Sequence, residues 1–151
     1  MNFTGEYQLS ASRDDVWQAL NNIEVLQDAI PGCQEFTEIA ENQYQAIIHT
    51  KLGPVTAKFK TKVSVENLVP PQSYTLVIDS SGGAQGMGQG IANVNLVESG
   101  EQTNLEYSVE FKVRGKLAQV GSRLISNAIK KLSAQFFDKF AANFDQSGVN
   151  A

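Results

Sequence analysis

The side chains that most often carry chemistry are sparse in this chain of 151 residues, which has one histidine, His49, and one cysteine, Cys33. A cysteine nucleophile needs a base, and only His49 is available to serve. His49 falls on the mainly polar side of an alternating segment with no carboxylate pattern beside it, which reads as an exposed strand residue. Cys33 follows Pro31-Gly32 without a second thiol or spaced histidines, so it reads as a small buried residue after a turn and not as a zinc ligand. Carboxylates are plentiful, yet Glu106 and Glu110 fall on the polar face of their strand and Glu66 on a lysine face. No acid–base pair is driven into an apolar interior, where a raised pKa would suit catalysis. The run Gly82-Gly83-Ala84-Gln85-Gly86-Met87-Gly88-Gln89-Gly90 lacks the Gly-Lys-Ser/Thr ending of a phosphate loop and lies between strands. It reads as a hairpin or a sheet bend, with clearance for a ligand as the alternative. The chemistry-bearing residues therefore predict no catalytic group, no metal site and no cofactor.

The elements that would position a site are easier to read. Phe3, Tyr7 and Leu9 alternate with Asn2, Glu6 and Gln8, a half-buried strand. Ser12 then opens Ser-Arg-Asp-Asp-Val-Trp with capping-box spacing, and Val16, Trp17 and Leu20 give that helix an apolar face. A second short helix is expected from about Ile23 to Ala29, stopping at Pro31-Gly32. From Gln34 to Arg114 the pattern is antiparallel strand. Val55, Ala57, Phe59, Thr61, Val63 and Val65 face one way, against Thr56, Lys58, Lys60, Lys62, Ser64 and Glu66. Leu105, Tyr107, Val109, Phe111 and Val113 repeat the alternation in the last strand. A sheet with one greasy face needs a cover, and Leu117, Val120, Leu124, Ala128, Leu132, Phe136, Phe140 and Phe144 supply it at helical spacing. One helix from about Leu117 to Phe144 would run about 40 Å. Small residues thin its first turns, namely Gly115, Ala118, Gly121 and Ser122, while phenylalanines thicken its far end. That taper would let one end pack solidly and the other leave a cavity.

Composition bounds the rest. At 42 % hydrophobic and 19 % charged the chain is globular and of single-domain size. We expect a domain over residues 1–144 and a short polar C-terminal tail over 145–151. Twelve basic against sixteen acidic side chains give −4, which argues against nucleic acid as a partner. Residues 1–50 hold eight acids and one arginine, whereas residues 115–144 hold five cations against Asp138. The final helix thus reads as the one electropositive element. A lone cysteine and an N-terminus without a basic region and apolar run predict a cytoplasmic protein.

Several strings resemble the CoxG family, the G-subunit family of carbon monoxide dehydrogenase, which is a branch of the START-like (polyketide cyclase/lipid transport) superfamily. They are Gly5 ahead of Ser12-x-x-x-Val16-Trp17-x-x-Leu20, then Val25-Leu26-x-x-x-Ile30-Pro31-Gly32-Cys33. Lys51-Leu52-Gly53-Pro54-Val55, Pro70-Pro71-x-x-Tyr74 and the glycine run through Gly90-x-Ala92-x-Val94 follow. Gly115-Lys116-Leu117-Ala118-Gln119-x-Gly121-Ser122-Arg123-Leu124-Ile125 completes them. The resemblance implies an α+β helix-grip fold: a curved antiparallel sheet of about seven strands, two short helices after strand 1, and a long C-terminal helix across the sheet. It also implies an internal hydrophobic cavity and an accessory role beside a molybdenum hydroxylase of the carbon monoxide or xanthine dehydrogenase type. Relatives are thought to recruit that enzyme to the membrane or to carry quinone between bilayer and enzyme. Some carry a hydrophobic C-terminal anchor where this chain stops at Ala151, so transient contact at the inner membrane face through the basic final helix is the expectation here.

The leading expectation is a non-catalytic binder of a hydrophobic small molecule, a quinone or a lipid. Strand parity and the helix stripe nominate Phe59, Leu76, Met87, Val94, Tyr107, Phe111, Leu117, Val120 and Leu124 as its lining. Two alternatives are a module that docks or matures the enzyme around a dry core, and a cyclase-like enzyme on an aromatic substrate. Fold alone does not choose among them.

Overall fold

Strand β1 (Asn2–Leu9) buries Phe3 and Leu9 and leads through Ser12 into helix α1 (Arg13–Leu20) in the computed structural model, which describes residues 1–149. The Ser12 hydroxyl accepts from the Asp15 backbone N–H at 3.2 Å, satisfying one donor that a helix start leaves open. Asn22 does the same for helix α2 (Ile23–Ala29), accepting from Glu24 and Val25. Ile30 ends α2 in an extended conformation, as a residue before proline should.

Six further strands follow in order. They are β2 (Cys33–Ala40), β3 (Gln43–Leu52), β4 (Val55–Val69), β5 (Ser73–Ser81), β6 (Met87–Ser99) and β7 (Gln102–Arg114). With β1 they form one curved, wholly antiparallel sheet in the order β1-β7-β6-β5-β4-β3-β2. Each neighbour except the β1–β7 pair is consecutive in sequence, so hairpins set the register and the single long-range closure is made by β1. Helices α1 and α2 and the C-terminal helix lie on the concave face. The element order is the one that the strand and helix periodicities predict, and the arrangement is the START-like helix grip that the resemblance implies.

The final cover differs from expectation at both ends. It is not one helix from Leu117, because Gly121 sits at φ +102°, a conformation that interrupts the right-handed spiral. A five-residue helix α3 (Lys116–Val120) therefore precedes α4 (Ser122–Val149). The break also shifts the phase of the apolar stripe, so Ile125 is fully buried and Leu124 is 52 % exposed. At the other end α4 runs on past Phe144 through residues 145–149, since no proline interrupts it. Asn150 and Ala151 lie outside the described residues.

The glycine run resolves as a hairpin plus packing space. Gly82 to Gly86 make a tight turn closed by a 2.8 Å hydrogen bond from the Gly82 N–H to the Gly86 carbonyl. Gly88 and Gly90 face inward beneath the Phe111 ring, where an added Cβ would lie 2.9 Å and 3.2 Å from ring carbons. These glycines admit an aromatic side chain, not a phosphate.

Two apolar clusters hold the concave face. The larger joins Leu9, Val16, Leu20, Tyr74, Leu96, Leu105 and Phe140 under α1 and the far half of α4. The smaller joins Leu52, Phe59, Leu117 and Ile125 under α3 and the first turns of α4. Gly32, at φ +76°, carries the chain from α2 into β2, and its carbonyl accepts from the His49 N–H at 2.9 Å. A Cβ there would collide with the His49 carbonyl oxygen. Gly32→Ala should lose at least ~2 kcal/mol of unfolding free energy, read as a lower urea midpoint.

Candidate functional site

Between the two clusters the concave face is not filled. A cavity of about 370 Å³ lies between strands β2–β7, helix α2 and the middle of α4. Besides Leu20 and Asn21 at the end of α1, its walls come from three sources. Helix α2 turns Ile23, Leu26 and Ile30 toward the sheet at three- and four-residue spacing. The strands supply alternate residues, Phe36, Tyr44, Ile48, Val63, Val65, Leu76, Ile78, Ala92, Val94 and Val109 among them. Helix α4 supplies Ser133, Phe136 and Phe137.

The aromatic residues fix the distance between helix and sheet. Phe137 stacks on Tyr7 at 4.3 Å between ring centroids and on Tyr107 at 5.3 Å, both at 20°. Phe136 meets Phe137 edge-on at 5.0 Å. Gly5, directly across the β1–β7 pair from Tyr107, leaves space for that ring, since a Cβ on it would lie 2.5 Å from the Tyr107 oxygen. At the α1 side Trp17 packs edge-on against Tyr74 at 5.4 Å.

The electrostatics of the lining are simple. It contains no Asp, Glu, Lys, Arg or His. Its polar side chains are Asn21, Thr61, Ser133 and three tyrosines. The Thr61 hydroxyl is already paired across the sheet with Ser80 at 2.9 Å. Burial pushes the Tyr74 hydroxyl far above the ordinary tyrosine range. Burial also raises Tyr107, with the neighbouring Tyr7 adding to it, and raises Tyr44, with Glu38 adding to it. All three tyrosines therefore stand as neutral hydrogen-bonding groups at neutral pH. An apolar chamber with a few neutral hydroxyls suits an uncharged, largely hydrophobic guest that carries an oxygen or two.

Of the nine nominated lining residues, the structure brings Leu76, Val94 and Tyr107 to the cavity. Phe59 and Leu117 are buried in the smaller cluster, with Phe111 and Val120 packed against it. Met87 is 43 % exposed on the outer face, because β6 turns Gly88, Gly90, Ala92 and Val94 inward and Met87 has the opposite parity. Leu124 faces solvent for the helix-phase reason given above. The nomination thus corrects toward the other end of the helix: the thin end packs solidly, and the open space lies against Ser133, Phe136 and Phe137. Sequence reasoning predicted α2 but not its place in the lining, although the spacing of Ile23, Leu26 and Ile30 carried the signal. It also missed Tyr44 and Ile48, whose alternation was visible.

The residues considered for chemistry lie elsewhere. His49 is exposed on the outer face opposite Lys58. The half-buried Cys33 thiol is raised by burial, against a 3.3 Å hydrogen bond to the Glu35 carbonyl, and so stays protonated. Glu106 and Glu110 occupy the outer side of β7. Among the described residues no three metal-ligating side chains converge.

Residues 5–144 match the model of the CoxG family, described as the G subunit of carbon monoxide dehydrogenase. The fold is similar to a conserved protein from Geobacillus kaustophilus, at 28 % identity over 97 % of each chain with a TM-score of 0.92. It is also similar to a START superfamily protein from Mycobacterium smegmatis, at 10 % identity over 96 % of this chain and 97 % of that one, TM-score 0.74. The Zhui aromatase/cyclase from Streptomyces sp. R1128 shares the architecture at 10 % identity, over 97 % of this chain and 94 % of that one, TM-score 0.72. Among curated proteins none matches the chain in sequence.

The buried tyrosines give a pH signature. A phenol whose folded pKa is raised contributes fully below its unfolded value, near 10, and loses that contribution as pH climbs toward the folded value. Unfolding free energy from urea titrations should therefore fall steeply above about pH 10, and Tyr74→Phe should flatten that fall while leaving the value at pH 7 within ~1 kcal/mol.

Proposed function

The chain belongs to the CoxG family of carbon monoxide dehydrogenase, and from that premise we propose that it binds a neutral hydrophobic small molecule in the concave cavity as a non-catalytic accessory protein. The observation that carries the reading is the lining itself. It has aliphatic and aromatic walls and neutral hydroxyls, with no charged side chain. The volume of about 370 Å³ falls in the range of small-molecule sites, and equals about a dozen water molecules. Burial of apolar guest surface at about 25 cal/mol per Å² supplies affinity, less the cost of immobilising the guest. A quinone ring or a lipid-like chain fits this chemistry, with a tyrosine hydroxyl donating to a guest oxygen. A longer isoprenoid or acyl tail would extend beyond the cavity.

The enzyme served, on this reading, is a molybdenum hydroxylase of the carbon monoxide or xanthine dehydrogenase type, and the setting is cytoplasmic. No helix is long and apolar enough to cross a membrane among the described residues. Lys116, Arg123, Lys130 and Lys131 lie along α3 and α4 and would favour transient contact with anionic lipid. The lack of a carboxylate or histidine in the lining favours binding over cyclase-like catalysis, since acid–base work there would have to fall to tyrosine alone.

Trp17, the only tryptophan, touches Tyr74 and so reports on the chamber by fluorescence. Titration of detergent-free protein with 1,4-naphthoquinone should quench it saturably, and a naphthoquinone sulfonate should bind at least ~10-fold more weakly because its charge finds no partner inside. Leu76→Trp, which fills the cavity, should abolish uptake of the neutral probe, whereas Leu124→Trp on the solvent face should not. Native mass spectrometry with organic extraction gives an independent readout. A folded protein that takes up neither quinone nor fatty acid would sink the carrier reading.

A further inference from the structure

The outer face of the sheet carries an uneven charge pattern that the final helix does not explain. Lys58, Lys60 and Lys62 stand exposed on the outer side of β4, about 7 Å apart, with His49 directly opposite Lys58. Lys112 and Arg114 stand at the same end of β7. The other end of the same face carries Glu66, Glu6 and Glu106. Glu6 and Glu106 are directly opposite one another on β1 and β7, a like-charge pairing that destabilises a sheet unless something relieves it. Asp79 stands opposite Lys62 at the basic end, but the only ion pair among the described residues joins Arg13 to Glu98, so the two ends keep their opposite net charges.

Each end is the complement of the other. The acidic end is also hollow, a depression of about 810 Å³ lined by Glu6, Glu106, Thr4, Asn67, Asn93 and Asn95 among others, with no cation in it. Between the two ends Val77 and Ile91 pair across β5 and β6, and Ile91 is 45 % exposed. An apolar centre flanked by opposite charges is the pattern of a self-complementary surface.

We propose that this outer face pairs with the same face of a second copy, about a two-fold axis crossing the strands at Val77 and Ile91. The axis reverses strand direction, so the basic end of one copy lies over the acidic hollow of the other. The β7 register then sets Arg114 over the partner's Glu106 and, on β4, Lys62 over the partner's Glu66, while Glu110, in the axis row of β7, meets the partner's Glu110 as the one like-charge contact. Five outward-facing residues on each of β4 to β7, with Asn2 of β1 at the axis, cover about 700 Å² at pleated-sheet spacings, within the range per partner of a standard interface. The concave face and its cavity stay free in such a dimer.

Sedimentation equilibrium of the full chain tests this. A dimer should form in low salt, and its dissociation constant should rise about tenfold between about 50 mM and about 500 mM salt. Arg114→Glu alone and Glu106→Arg alone should each give monomer, since each puts like charges face to face at both symmetric contacts. An equimolar mixture of the two variants should recover the dimer, because both contacts between positions 114 and 106 are then again between opposite charges. Ile91→Asp should give monomer without rescue. A chain that is monomeric at all salts overturns the pairing, and if it then binds anionic vesicles in a manner lost with Lys60→Glu and Lys62→Glu, the cations serve a lipid surface. A dimer indifferent to the charge reversals overturns it equally, by placing the interface elsewhere.

Discussion

One helix about 10 Å across lies over a seven-stranded sheet about 30 Å wide, so α4 cannot fill the concave face alone. Everything on that face answers to this mismatch. At one end α3 and the thin first turns of α4 let Leu117 and Ile125 close down onto Leu52 and Phe59. At the other, α1 and the phenylalanines of α4 build the larger cluster around Leu9, Leu96 and Leu105. In the middle Phe137 rests on Tyr7 and Tyr107 and holds the helix off the strands. Beside that stack the helix and sheet side chains leave the cavity between them, and α2 flanks it as a wall instead of a plug.

The sequence made the elements legible because each obeys a single local rule. Alternation in Val55 to Val65 and in Leu105 to Val113 fixes strand parity, and Ser12, Asn22 and Pro31 mark helix ends. The cavity was less legible because it is a difference between volumes contributed by distant residues. Parity was enough for Leu76, Val94 and Tyr107, which lie on well-alternating strands. It misplaced Met87, where the glycines at 86, 88 and 90 remove the apolar signal that reveals which side is inward. Leu124 was misplaced by Gly121, whose positive φ resets the helical phase without any change in spacing.

Charge and polarity are partitioned by the sheet. The outer side holds the lysines of β4 and the glutamates of β7, all beside water. The inner side is limited to hydroxyls, one amide and hydrocarbon around the cavity. In a low-dielectric chamber an unpaired charge is expensive, whereas a neutral phenol is not. The raised tyrosine pKa values follow from the same partition. The effect is largest at Tyr74, the most deeply buried of the three.

The cavity lies between two apolar clusters that share no residue. Side chains that do not touch change stability almost independently, so the Leu52–Phe59–Leu117–Ile125 cluster can be strengthened without reshaping the chamber. Most substitutions destabilise, and a lineage explores new ones only while it keeps a reserve. Leu20, Tyr74 and Leu105 of the larger cluster also line the chamber, but the reserve in the smaller cluster is held by residues that do not touch it. Ile23, Leu26, Tyr44, Ile48 and Ser133 are therefore free to drift in size and polarity, and the same scaffold can exchange one guest for another over evolutionary time without passing through an unfolded ancestor.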